Sequence, residues 1–211
     1  MKIFITAIRT ALIASLSFAT AAFGADRAAP IIVNHQCTIL ADIPREAIQD
    51  AIDDLVIAFG HTSHGSQLVT GMDSLAAFVG DDIYSWSMDG SGGTLELRDK
   101  VMPYDLGYES WEPDTRAYLN SHPEVNVIIW AWCGQVVHAT EAYIDEYLAD
   151  MTALEVDYPD VSFVYMTDHL VGWTYESNPF IRNQQIRDYC IANNKIPVSY
   201  THLTLPTNRE V

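Results

Sequence analysis

Leu55-Val-Ile-Ala-Phe-Gly-His-Thr-Ser-His-Gly-Ser66 is the stretch from which the fold can be read. Its apolar residues Leu55 to Phe59 end at Gly60, a cluster of hydroxyls and imidazoles follows, and helical spacing then begins at once with Gln67, Leu68, Met72, Leu75 and Val79. The pattern predicts strand, tight turn, helix. In an open α/β sheet such a turn lies at the carboxyl end of a strand, where ligands bind, and the next helix points free N–H groups at it. A serine there is a candidate nucleophile. Helix capping is the plainer role for Thr62, Ser63 or Ser66, because hydroxyl residues are favoured at that position. It accounts for one hydroxyl but not for histidines on both sides.

On the N-terminal side, Ala28 to Asp42 reads as a lead-in, with Ile31-Ile32-Val33 a short edge strand, and Pro44 opens a helix to about Ile52. On the C-terminal side the helix after the turn stops at Gly80. Periodicity then fades from Asp81 to Ser110. Met88-Asp-Gly-Ser-Gly-Gly-Thr94 reads as a surface loop, Val101 to Tyr108 as a second strand end and loop, and Pro113 to Leu119 as a short helix. A calcium loop counted from Asp89 fails, since Thr94 and Lys100 stand where Gly and an acid are needed. Asn126 to Trp132 is apolar and β-branched, as suits a strand buried on both faces of a parallel sheet. A helix from Thr140 to Val156, a strand from Val161 to Met166, a helix from Asn178-Pro179 to about Asn193 and the start of another strand at Lys195-Ile196 complete the alternation. The expected class is α/β: a three-layer α/β/α sandwich with a mostly parallel, flavodoxin-like sheet.

The two ends are read differently. Residues 1–25 have a weakly basic head and a short alanine-rich apolar run ending in small residues, the form of a secretory signal peptide, which places the mature chain in the periplasm or outside the cell. No further segment is expected to cross a membrane. Residues 198–211 begin Val-Ser-Tyr-Thr-His-Leu-Thr-Leu-Pro-Thr, which a stretch of transposase sequencing adapter encodes codon for codon. They are read as a non-native tail on one domain over 26–197 that is incomplete at its C-terminus. The charge of −17, from 28 acidic against 11 basic residues, repels phosphate backbones and anionic membranes. Nucleic acid is therefore excluded as a partner, and neutral glycans or esters fit better. Three cysteines are too few for a disulfide scaffold, although Cys37 with Cys190 is one pairing open to an exported chain.

Set side by side, the strand ends bring Ser63, His61 and His64 to one edge with Gly107, Gly134-Gln135 and Asp168-His169. Acyl transfer needs a nucleophilic oxygen, a base within reach and donors where the oxyanion forms. Ser63 is the candidate nucleophile, Gly107 and Gln135 the candidate oxyanion donors, and His61 or His169 the candidate proton carrier. Asp168 and His169, being neighbours, are expected to face substrate or serve structure rather than pair with each other. His64, Asp168, Trp111 and Trp173 are candidate substrate contacts, and Trp86, Tyr104 and Tyr108 share the segments read as loops where sugars stack on rings. Cys133 as nucleophile is weighed against the usual role of a strand-end cysteine as inert core.

His61-Thr62-Ser63-His64-Gly65 resembles the His-x-Ser-x-Gly first block of divergent SGNH or GDSL-like hydrolases. The resemblance implies a flavodoxin-like esterase or lipase, often acting on acetylated carbohydrate without a cofactor, and puts Ser63, Gly107 and Gln135 in the serine, glycine and asparagine places. The chain departs from the family in lacking Gly-Asp-Ser and in having Gln135 where asparagine is usual. The family's Asp-x-x-His block has no match before Pro197, so the resemblance implies a catalytic dyad beyond it.

Three functions are carried forward: a secreted serine esterase acting on a small-molecule or glycan ester, a noncatalytic glycan-binding module on a hydrolase-like fold, and a metal hydrolase using His61, His64 and Asp168. For the last, two histidines three apart in a turn are weak zinc spacing.

Overall fold

The computed structural model describes residues 27–169 and 177–198. Residues 1–26, which include the stretch read as a signal peptide, residues 170–176 with Trp173, and residues 199–211 lie outside them. Six strands, β1 (Val56–Gly60), β2 (Trp86–Ser87), β3 (Leu95–Asp99), β4 (Val127–Trp130), β5 (Ser162–Met166) and β6 (Ile196–Val198), form one sheet in the order β2-β3-β1-β4-β5-β6. All neighbours pair in parallel. Without the two-residue edge strand β2, this is the flavodoxin-like order, with β1 at the point where the chain switches from one side of the sheet to the other.

Parallel pairing requires crossovers, and helices supply them on both faces. Helices α1 (Arg45–Asp54) and α2 (Gly65–Val79) cover one face, where Ala47, Ile48, Ala51 and Val69 meet Ile57, Phe59, Leu97, Ile129 and Val164. Helices α3 (Trp111–Ser121), α4 (Glu141–Asp157) and α5 (Asn178–Ala192) cover the other, where Leu119, Ile144, Met151, Leu154 and Ile186 meet Ala58, Ile128, Trp130, Phe163 and Tyr165. The alternation along each strand divides its side chains between the two cores. Helix α4 begins as its sequence indicates, with Thr140 Oγ1 accepting from the Tyr143 N–H at 3.1 Å.

Val33 bridges Val198 in parallel at the β6 edge, so the short edge strand read at Ile31 to Val33 is reduced to one bridge flanked by N–H bonds to Lys195 and Pro197. Val198, the first residue assigned to the tail, is 4% exposed and belongs to the sheet.

The strand expected within Val101 to Tyr108 lies earlier, at Leu95-Glu-Leu-Arg-Asp99. Leu95 and Leu97 enter the α1–α2 core, and Arg98 pairs with Glu96 and Glu124. Helix α3 starts two residues before the expected Pro113 and makes Trp111 a core residue, 6% exposed and edge-on to Trp130 at 6.4 Å. Cys37 packs on the first core and Cys190 is wholly buried in the second, so the sheet separates them and both thiols are free.

Candidate active site

The carboxyl ends of β3, β1, β4 and β5 bring Asp99, the turn His61–His64, Cys133–Gln135 and Asp168–His169 to one edge of the sheet. His64, Gly65, Leu68, Ala131, Trp132, Met166 and Thr167 line a shallow depression there, too small to enclose a water molecule. The turn after β1 is fixed from beneath by His61. Its side chain is inaccessible to solvent, Nδ1 lies 2.8 Å from the Thr62 carbonyl, and Nε2 lies 2.5 Å from Asp99 Oδ1. With both nitrogens engaged, His61 supports the turn and has no free nitrogen to take a proton from Ser63. This corrects its assignment as a proton carrier.

Thr62 is held by Asp105, whose carboxylate accepts from both the Thr62 N–H, at 2.6 Å, and the Thr62 hydroxyl. Ser66 Oγ donates back to the Thr62 carbonyl at 3.0 Å. His64 occupies the N-cap of α2 and no side chain caps it, so the hydroxyls of this turn are not helix caps. Ser63 is exposed, and its hydroxyl makes no hydrogen bond among the described residues.

The loop between β3 and α3 is tied down on three sides. Asp105 is 4% exposed and bound to Thr62, the Leu106 N–H donates to the Ala131 carbonyl at 3.0 Å, and Tyr143 OH donates to the Gly107 carbonyl at 2.6 Å. Gly107 has φ +95°, and a Cβ there would sit 2.6 Å from Tyr143 OH and 2.8 Å from Trp132 Cζ3. Only glycine suits both the backbone and the space. The Gly107 N–H has no acceptor among the described residues. After β4, Gln135 Oε1 accepts from the Cys133 N–H at 2.6 Å, which fixes the amide and leaves Nε2 unengaged among the described residues.

After β5, Asp168 and His169 do pair, contrary to the expectation for neighbours. Asp168 Oδ1 lies 2.8 Å from His169 Nδ1 and also accepts the His169 N–H, while the N–H groups of Gly134 and Val136 reach the two carboxylate oxygens at 3.3 Å. Asn183 clamps the backbone of Asp168, accepting from its N–H at 2.8 Å and donating to its carbonyl at 2.9 Å. Burial raises the Asp168 pKa above the ordinary value, against the opposing pull of His169. Its wholly buried carboxylate orients other groups and is not a substrate contact.

The His169 ring stacks on His64 with centroids 3.8 Å apart, and His64 Nδ1 lies 3.0 Å from Cys133 Sγ. His61, His64 and Asp168 are thus each turned to a different partner, and no group of three or more His, Cys, Asp or Glu side chains among the described residues is placed to hold a metal.

Asp99, Asp105, Asn183 and the His64–Cys133 contact were not singled out in the sequence. Asp99 had a signal, since a strand recognised at Leu95 would have carried its last residue to this edge. Asn183 had none, lying inside a helix. No family model, curated protein or solved structure matches this chain.

Proposed function

We propose that this chain is an extracellular serine ester hydrolase that resembles the SGNH type in its Ser63 block, takes its base from His169 in place of the family's dyad, and removes acyl groups from carbohydrate through an acyl-enzyme on Ser63. The observation that carries the reading is an exposed hydroxyl with no competing hydrogen bond, seated at the start of α2 on the edge that bears the unengaged Gly107 N–H and Gln135 Nε2. Ser63 Oγ attacks the ester carbonyl carbon, and His169 takes its proton at Nε2, the nitrogen left free when Asp168 holds Nδ1. The carbonyl oxygen gains the negative charge and is received by the N–H groups of Ser63 and Gly107 and by the Gln135 amide. Collapse breaks the bond to the sugar oxygen, which leaves with the proton from His169. A water, deprotonated by the same imidazole, then releases the acid and regenerates Ser63.

The 3.0 Å contact of His64 Nδ1 with Cys133 Sγ supports a second reading, a thiol nucleophile with His64 as its base. Fluorophosphonate labelling and aryl acetate turnover separate the two. The serine reading expects Ser63→Ala to abolish labelling and to lower kcat by at least about a thousandfold, with Cys133→Ser still labelled. Labelling that survives Ser63→Ala and is lost in Cys133→Ser transfers the role to the thiol. Absence of labelling and turnover throughout leaves the glycan-binding module.

A further inference from the structure

We propose that Tyr104 and Tyr108 form a stacking subsite for an uncharged sugar ring, which delivers the saccharide portion of the substrate to Ser63. The proposal names the recognition element of the hydrolase reading and rests on that reading for its link to catalysis. The two residues are 57% and 50% exposed, and their rings lie 5.1 Å apart at 28°. Stacked on each other, the rings cover their inner faces and leave an outer face and the edges to solvent, and the C–H face of a pyranose or furanose covers such a face while its hydroxyls remain in water.

The pair is held on a rigid support. Asp105, between them in sequence, binds the backbone and hydroxyl of Thr62, the neighbour of Ser63, and Gly107, the oxyanion donor, directly precedes Tyr108. A ligand on the rings is therefore tied to the nucleophile through one buried carboxylate. Preorganisation of this kind lowers the ordering cost of binding.

Tyr104 also has φ +68°, a conformation that a bulky side chain adopts only under strain. Strain of this type collects at ligand clamps, and the ring is exposed and stacks on Tyr108. The acidity of the chain argues for an uncharged ligand over an anionic one.

The test is equilibrium binding of xylohexaose, cellohexaose and mannohexaose by calorimetry, with no turnover involved. At least one should bind, and Tyr104→Ala and Tyr108→Ala should each weaken it by roughly three- to tenfold, while Phe78→Ala, an exposed ring at the far end of α2 (84%), leaves affinity unchanged. Tyr104→Gly should weaken binding without lowering the thermal midpoint, because glycine accepts the left-handed backbone. Failure of all three sugars to bind, or equal affinity in the double variant Tyr104→Ala/Tyr108→Ala, overturns the subsite. Loss of affinity in Tyr104→Gly only together with a lowered midpoint also overturns it, since the ring would then be structural. Aryl acetate turnover, which requires no sugar, reports on Ser63 separately, so either idea can fail alone.

Discussion

Gly65 shows how closely the turn that carries Ser63 is built. A Cβ at this position would lie 2.3 Å from both Cβ and Cγ of His61, and neither atom is the movable end of a flexible chain. Gly65→Ala must displace the His61 ring from Asp99 or shift the first turn of α2, at a cost of about 1–3 kcal/mol. The thermal midpoint should fall, and on the hydrolase reading aryl acetate turnover should fall with it because Ser63 moves with the turn. An unchanged midpoint would mean that the turn is softer than its contacts imply.

Asp168 carries a pH signature. Burial raises its folded pKa above the unfolded value, so the stability it contributes is complete below the unfolded pKa and is lost as pH rises through the folded one. Asp168→Asn fixes the neutral form, so the variant should gain stability relative to the parent as pH rises through that interval, with no further change above it. On the hydrolase reading the ionised carboxylate holds His169, so the variant should also lose turnover. A stability difference independent of pH would refute the assignment.

At the scale of elements, what could be read in the sequence depended on burial. The strands β1, β4 and β5, covered on both faces, are apolar runs, and helix α4 carries a capping threonine, so all four were found close to their true ends. Strand β3 escaped because its charged residues are neutralised by partners distant in sequence, Glu124 for Arg98, which composition does not reveal. Trp111 was misplaced for a related reason: a tryptophan after a polar stretch reads as a loop, but the edge of Trp130 awaited it across the sheet face. The oxyanion candidates Gly107 and Gln135 follow from the strand ends set side by side and again from a family resemblance, whereas what holds them, Tyr143 and the Cys133 N–H, is tertiary.

The join of α4 to β6 was equally invisible. Glu155 and Lys195 form an ion pair at 3% and 7% exposure. Lys195→Met leaves the buried Glu155 carboxylate, among the described residues, with only the more distant charge of Arg27 beside it and should cost about 3 kcal/mol. The double variant Glu155→Leu/Lys195→Met should recover most of that loss, since a buried pair can be replaced by apolar groups with little penalty. A double variant no better than the single one would show that Arg27, which also interacts with Glu155, depends on that carboxylate as much as Lys195 does.

For the whole molecule, the excess of 28 acidic over 11 basic residues sets a balance between two salt-dependent effects. Exposed ion pairs such as Arg45 with Asp81 and Arg116 with Asp157 weaken when screened, but isolated surface pairs contribute little. Mutual repulsion among the unpaired carboxylates acts over the whole molecule and weakens too, and it favours the unfolded chain. The Debye length falls from about 30 Å at 0.01 M salt to about 8 Å at 0.15 M, while a domain of this size has a radius of gyration of about 15 Å. Low salt therefore lets every carboxylate feel the others, and physiological salt confines each to its neighbours. Repulsion should dominate, so the thermal midpoint should rise by a few degrees between these ionic strengths at neutral pH and level off above them. A midpoint that falls with salt would show that the cations are placed well enough to outweigh the acidic excess.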